Sequence, residues 1–340
     1  MTALRLVALR SDDTLGFLAA LGVVELLRAS GNGSVKLDWE GIGGCAVLDV
    51  ELDSIEELAQ ELLGIARGLR DTGRLTPAKD PQLVPRAVST ADRRAAVEKV
   101  PLDPLKMTGR VAIARFQQVQ ATEQEDPGSA DAGWLTGLVN QLAAANPRES
   151  DVRRLTPLYA PRGQMTVHQL LRDALDDVLR RPGRVLEALV SWRREPGTGA
   201  NLDDRALVDA VAGPAGTAQD RAVLGASWLA LQTIPWFTQV GDGSQGDAVL
   251  WTRGPGGSWL TWPVWDTPLD VPAIRTLFRH PVARHVPVPA RGAAPAWSVT
   301  AAQRQQARAL GVAGILRAGR RALPKSAGPL RAPEVLWRTG

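Results

Sequence analysis

The chain has 340 residues, 44% of them apolar and 22% charged, with a net charge of +4. That is the composition of a soluble globular protein, long enough for two domains or for one large domain with an insertion. The single cysteine, Cys45, excludes an internal disulfide and a cysteine-based zinc cluster, and a reducing cytoplasm is the natural setting.

The start, Met1-Thr2-Ala3-Leu4-Arg5, lacks a signal-peptide layout, and no segment is apolar over the roughly twenty residues of a membrane span. Leu4 to Arg10 alternates as a short strand. Ser11-Asp12-Asp13 offers helix N-cap chemistry. Leu15 to Leu27 is apolar but for Glu25, with Gly31 as the stop. A helix apolar on nearly all sides must be enclosed, and Gly16, Ala19, Ala20 and Gly22 leave room for neighbouring backbone. Strands follow over 35–39 and 45–51, joined by the Gly41-Ile42-Gly43-Gly44 turn. Ser54-Ile55-Glu56-Glu57 is a capping box opening a helix with Ile55, Leu58, Leu62, Ile65 and Leu69 on one face. The β-α-β-β-α order predicts a ferredoxin-like unit, which a strand near Leu83-Val84 would complete.

The spacing then predicts helices over 90–99, 110–124, 130–144, 166–181, 182–192 and 219–233, the fifth opening on Pro182. From 245 the pattern changes. Ala248–Arg253 and Ser258–Trp265 read as a hairpin around Gly254-Pro255-Gly256-Gly257. A short helix covers 271–280, a Pro/Ala-rich strap 281–295, and a longer helix 301–323, with an irregular end. The fold class is therefore α/β (α+β): a ferredoxin-like unit over 1–88, a mostly helical region over 89–240, and a Trp-rich hairpin with a basic helical tail over 241–340.

Charge is uneven along the chain. Val271–Gly340 holds twelve Lys and Arg against one acid, Glu334, a balance of +11 that leaves −7 for the remainder. Such a basic end suggests a polyanionic partner; the plainer reading is a solvated, Arg-rich surface. The candidate phosphate-contacting residues are Arg304, Arg308, Arg317, Arg320, Arg321 and Lys325. On one helix they would form two basic flanks around Val312, Leu316 and Leu323, suited to backbone contact more than to base reading. Seven of eleven tryptophans lie between 228 and 297. Stacking on bases is one use for them; core or subunit-interface packing is the favoured one. Trp259 falls on the opposite face of its strand from Trp262, and Trp262 and Trp265 also alternate, so burying both faces requires a sandwiched hairpin.

Nothing in the sequence announces catalysis. His280 and His285 straddle Pro281 without a third ligand, and His168 is remote, so no metal is expected. No Walker loop or dinucleotide fingerprint occurs, and no cofactor is expected. Asp176-Asp177 and Asp203-Asp204 are chain neighbours that do not face each other on a helix.

Four stretches carry a family likeness: "SDDTLGFLAALGVVELL" at 11–27, "TPLYAPRGQMTVHQLL" at 156–171, "GASWLALQTIPWF" at 225–237 and "SWLTWPVWDTPLDVPAIRTLF" at 258–278. The chain resembles the large-subunit-type proteins of type I-G (formerly type I-U) CRISPR effector complexes, in which a short strand runs into a buried "hFLAALGhhRLL"-like helix. The resemblance implies a non-catalytic, cytoplasmic, nucleic-acid-binding subunit in antiviral defence. Its partners would be guide RNA, target DNA, other effector subunits and a helicase-nuclease, with base pairing supplying sequence specificity. Two other classes stand beside it: a protein-binding scaffold or adaptor using the Trp-rich region, and an enzyme with a distributed active site.

Overall fold

The computed structural model describes residues 2–31, 34–79, 105–126, 129–145, 151–160, 165–197, 199–206, 220–241, 246–254, 257–284, 300–323 and 326–338. Alternation sets the first element: Thr2–Arg10 forms β1, with Leu4, Leu6 and Leu9 buried. Asp13 caps α1 (Thr14–Ala29), its carboxylate accepting from the Gly16 backbone N–H at 3.0 Å. Every residue from Thr14 to Leu27 is buried. Gly31, at φ +100°, turns the chain out of the helix. The hairpin of β2 (Lys36–Trp39) and β3 (Cys45–Val50) follows, then α2 (Ile55–Asp71), capped by Ser54. The β-α-β-β-α order is thus present, with β3 lying antiparallel between β1 and β2. The strand expected near Leu83-Val84 and the helix expected over 90–99 lie outside the described residues.

The middle of the chain holds α3 (Gly109–Glu125) and α4 (Asp131–Leu138). The helix expected over 130–144 stops at Leu138, and Val139–Ala144 becomes β4, paired with β5 (Arg153–Leu155). Asn140 accounts for the change. Its Oδ1 accepts from the Leu142 and Ala143 N–H groups, offering them an alternative to helical bonds, while its Nδ2 donates to the Val240 carbonyl. Next come α5 (Val167–Arg180) and α6 (Gly183–Val190). Glu195–Pro196 (β6) pairs with Arg221–Ala222 (β7), which delays the expected helix until Leu224–Leu231, α7.

The C-terminal third is a sheet. Its strands are β8 (Gln239–Gly241), β9 (Gly246–Ala248), β10 (Trp251–Gly254) and β11 (Gly257–Trp265), joined later by β13 (Val312–Leu323), β14 (Ser326–Leu330) and β15 (Glu334–Arg338). Between these groups lie β12 (Leu269–Asp270), α8 (Val271–Arg279), α9 (Pro281–Arg284) and α10 (Ala301–Ala309). Strand β12 pairs with β2, adding a fourth strand to the N-terminal sheet.

The predicted 301–323 helix is only partly formed. It ends at Ala309, Gly311 reverses the chain at φ +69°, and Val312–Leu323 runs as the long strand between β11 on one side and β15 and β14 on the other. The end of the chain is likewise paired rather than irregular. Two glycines make the strand possible. A Cβ on Gly314 would sit 2.6 Å from the Trp337 carbonyl oxygen, and one on Gly319 would sit 2.6 Å from the Trp259 ring.

The sheet is anchored to the N-terminal unit by tryptophan. A register shift between Val264 and Trp265 breaks the alternation of β11. Trp262 Nε1 donates to the Ser11 carbonyl at 3.1 Å and Trp265 Nε1 to the Leu37 carbonyl at 2.7 Å. The hairpin strand is indeed sandwiched: Leu260 to Trp265 are all buried. Phe17 stacks on Trp262 with centroids 5.2 Å apart and on Trp39 at 6.0 Å; Trp265 meets Trp39 and Phe278 edge-on. Rings of this size bury on the order of 150–250 Å² each, so the cluster dominates the local burial energy.

Helix α1 packs on its other side against α7, and the crossing is backbone to backbone. A Cβ on Gly22 would fall 1.8 Å from the Leu229 carbonyl oxygen. Glu25, the only charge within the apolar run, is fully buried and held by Arg28 at 2.6 Å and Arg275 at 3.5 Å; Arg275 in turn lies 5.2 Å over the Trp236 ring. Gly22→Ala is expected to cost about 1–3 kcal/mol or more, because helix axes must separate. Gly64→Ala, in open space on α2, is expected to stabilise by about 0.5–1 kcal/mol. Urea unfolding of the two variants measures the contrast, and equal effects would contradict the close crossing.

Candidate anion-binding site

The six basic residues singled out in the sequence separate into different environments. Arg304 and Arg308 are exposed on α10, one turn apart on the same side, while Ala307 is the helix residue buried against the structure. Arg321 is exposed on β13. Arg317 and Arg320, expected on a solvated helix, are instead buried on that strand, at 1% and 9% exposure. Lys325 lies outside the described residues.

The two buried guanidiniums are built into the sheet. Arg317 lies 5.6 Å over the Trp259 ring and directly across from Glu334 on β15. Burial pulls its pKa down, opposed by the Glu334 charge. Arg320 lies 5.5 Å over the Trp251 ring and ties three distant segments together. Its Nη1 donates to the Gly328 carbonyl at 2.9 Å and the Asn201 carbonyl at 3.3 Å, and its Nη2 donates to the Pro157 carbonyl at 2.8 Å. Burial, reinforced by the like charge of Arg253, pushes its pKa down to about 9, so it remains a cation at neutral pH.

Arg320 also lines a cavity of about 330 Å³. The other cations around it are Lys106, Arg153 and Arg253. The remaining wall is Ala145, Val152, Leu155, Thr156, Pro157, Tyr159 and Ser258, so no carboxylate lines it among the described residues. The local folding explains the convergence. Arg253 and Ser258 face each other across the β10–β11 hairpin, Arg153 and Leu155 come from β5, and Arg320 reaches in from β13. Desolvation and the neighbouring charge of Arg154 lower the Arg253 pKa. Arg153 is held by the Asp151 carboxylate and the Leu142 carbonyl. Ser258 Oγ is buried without a hydrogen-bond partner among the described residues.

Reading the sequence for charge runs finds Arg320 but not its companions. Lys106, Arg153 and Arg253 lie outside the basic end, each from a segment of its own. The tandem Arg153-Arg154 ahead of "TPLY" was the available signal.

The remaining polar candidates resolve otherwise. Asp203 is buried in an ion pair with Arg194, and Asp177 is paired with Arg180. His168 is buried on α5, and His280 Nδ1 accepts from the Val282 N–H. Among the described residues no group of three or more His, Cys, Asp or Glu could hold a metal ion. No described helix is long and apolar enough to cross a membrane. The tryptophans favour core packing: Trp228, Trp236, Trp251, Trp262 and Trp265 are all buried, and Trp259 is half-buried, whereas Trp297 lies outside the described residues.

No protein-family model matches the chain, and no curated protein matches it.

One titrating group stands out near the start of α1. Burial raises the Asp13 carboxyl from 3.8 to about 6, helped by the negative charges of Asp203 and Asp204 and opposed by the Gly16 N–H and by Arg205. The folded state therefore binds this proton more tightly than the unfolded chain. The ionised carboxylate costs stability above about pH 6, and that stability returns as pH falls from about 6 towards 4. Asn caps helices as well as Asp does. Asp13→Asn is expected to stabilise the fold by about 1–3 kcal/mol at pH 8 and to change little at pH 4.5. Urea unfolding at the two pH values checks this; destabilisation at pH 8 would show that the charge itself is required.

Proposed function

We propose that this protein is a non-catalytic, nucleic-acid-binding subunit of an RNA-guided CRISPR effector complex, and that it contacts the phosphate backbone through its C-terminal third. The observation that carries the reading is the display of charge after Val271. Arg279, Arg304, Arg308, Arg321, Arg331 and Arg338 are exposed, while this end of the chain has one acid, Glu334. Guanidinium forks match phosphate oxygens, and a surface of this kind binds by releasing counterions, without reading bases. Sequence choice in such a complex comes from guide pairing. The likeness at 11–27, 156–171, 225–237 and 258–278 supports the complex, and guide RNA, target DNA, fellow effector subunits and a helicase-nuclease are the proposed partners. A cytoplasmic location fits that role.

The structure alters which residues the reading needs. Backbone contact rests on Arg304, Arg308 and Arg321, whereas Arg317 and Arg320 hold the sheet together. An adaptor docking through the Trp-rich region has less support, because the described tryptophans between 228 and 265 are buried or half-buried.

The triple variant Arg304→Glu/Arg308→Glu/Arg321→Glu is expected to fold normally and to weaken duplex DNA binding about tenfold or more at 100 mM salt. The slope of log K against log salt should shrink by about two to three units. Arg317→Gln is expected to lower the unfolding midpoint and leave the salt slope intact. Fluorescence anisotropy over a salt series gives both quantities. Unchanged affinity in the folded triple variant would remove the basic end from the account.

A further inference from the structure

We propose that the cavity bounded by Arg320, the β10–β11 hairpin and the 151–159 segment is a binding pocket for the phosphate group of a nucleotide. This goes beyond backbone contact at the surface: it is a discrete concave site, separate from Arg304, Arg308 and Arg321.

Four observations converge on it. First, Lys106, Arg153, Arg253 and Arg320 come from four separate segments of the chain to one cavity of about 330 Å³. Like charges are brought together against their mutual repulsion; the carboxylates that meet them, Asp151 on Arg153 and Asp247 near Arg253, lie outside the described lining. Second, Arg320 is only 9% exposed, and the partners of its Nη atoms are neutral backbone carbonyls. A buried cation balanced by dipoles alone is left with an uncompensated charge, which an incoming anion stabilises. Third, Ser258 Oγ and Arg320 Nε are buried with no hydrogen-bond partner among the described residues. A hydroxyl and a guanidinium N–H are the donors that phosphate oxygens take up. Fourth, the cavity is not uniformly polar. Leu155, Pro157 and Tyr159 form an apolar side, and the volume lies at the small-ligand end of known pockets, larger than a bare ion requires.

The charge count selects the anion. With Asp151 on Arg153 and Asp247 near Arg253, the four cations keep an excess of about two charges; a carboxylate would bring one, whereas a phosphate monoester brings close to two and three oxygens that accept bidentate guanidinium bonds. The apolar side then receives the organic part of the ester. The nucleotide has two possible sources with this same chemistry: a free mononucleotide, or the phosphorylated end of a strand.

Isothermal titration of the full chain with adenosine 5′-monophosphate, with adenosine as the control, tests the proposal. Saturable one-site binding of the monophosphate is expected, with adenosine at least tenfold weaker. Arg253→Gln, at an exposed position, is expected to weaken the monophosphate tenfold or more, and Ser258→Ala a few-fold. Circular dichroism and unfolding midpoints verify that both variants fold. Arg304→Glu/Arg308→Glu/Arg321→Glu is expected to leave the titration unchanged. Its loss of duplex binding therefore reports on the surface reading alone, so the two proposals fail separately. Competition by a 5′-phosphorylated hexadeoxynucleotide, but not by its 5′-hydroxyl counterpart, assigns the pocket to a strand end; no competition assigns it to a free nucleotide. Absence of saturable monophosphate binding, equal binding of adenosine, or full affinity in folded Arg253→Gln would each overturn the proposal.

Discussion

Helix α1 has no face that can meet water, and the rest of the structure is arranged around that constraint. Thr14 to Leu27 are buried without interruption, so walls must come from several directions. The N-terminal sheet supplies one. Helix α7, itself buried at every position, supplies a second at backbone contact through Gly22. The aromatic cluster of Trp39, Trp262, Trp265 and Phe278 supplies a third around Phe17. The indole N–H groups of Trp262 and Trp265 satisfy carbonyls of the first forty residues, 251 and 228 positions back along the chain. The one charge inside this enclosure, Glu25, is tolerated because Arg28 and Arg275 reach it from the margin.

That arrangement decides what the basic end of the chain can do. To bring Trp262 and Trp265 onto the N-terminal unit, β11 must be central in its sheet, and β13 lies beside it. Strand β13 is buried on both faces from Gly314 to Arg320, so Arg317 and Arg320 are drawn inward despite their charge. Each is stacked over a tryptophan, one opposite Glu334 and the other bonded to backbone carbonyls. The exposed arginines are left to face solvent and any polyanion there. Arg320, reaching the other way, becomes one wall of the cationic cavity. The same charge excess thus divides into a surface part and an enclosed part.

Much of the N-terminal unit was legible because one-sided burial leaves a pattern in the sequence. Leu4, Leu6 and Leu9 mark β1, Ser54 marks the start of α2, and the apolar run after Asp13 marks an enclosed helix. The C-terminal strand hid for the opposite reason. Residues 314–320 are buried on both faces, so no alternation remains, and Ala, Leu and Arg are among the best helix formers. Gly311 was the visible stop, with Gly314 and Gly319 as further marks against a continued helix. At 139–144 a side-chain competitor, Asn140, overrode an apolar pattern that fits a helix. The cavity was the least legible feature. Its cations lie at 106, 153, 253 and 320, and only the topology brings them together.

The central claim is that the basic C-terminal sheet and the N-terminal unit form one cooperative core around α1. Native-state hydrogen exchange read at single amides tests it most directly. Amides of α1, β11 and β13 are expected to exchange through one opening event, with the same free energy and the same dependence on added denaturant. Exchange of β11 and β13 at a distinctly lower free energy, with α1 still protected, would contradict the account, because α1 would then retain its protection without the wall that the tryptophans provide.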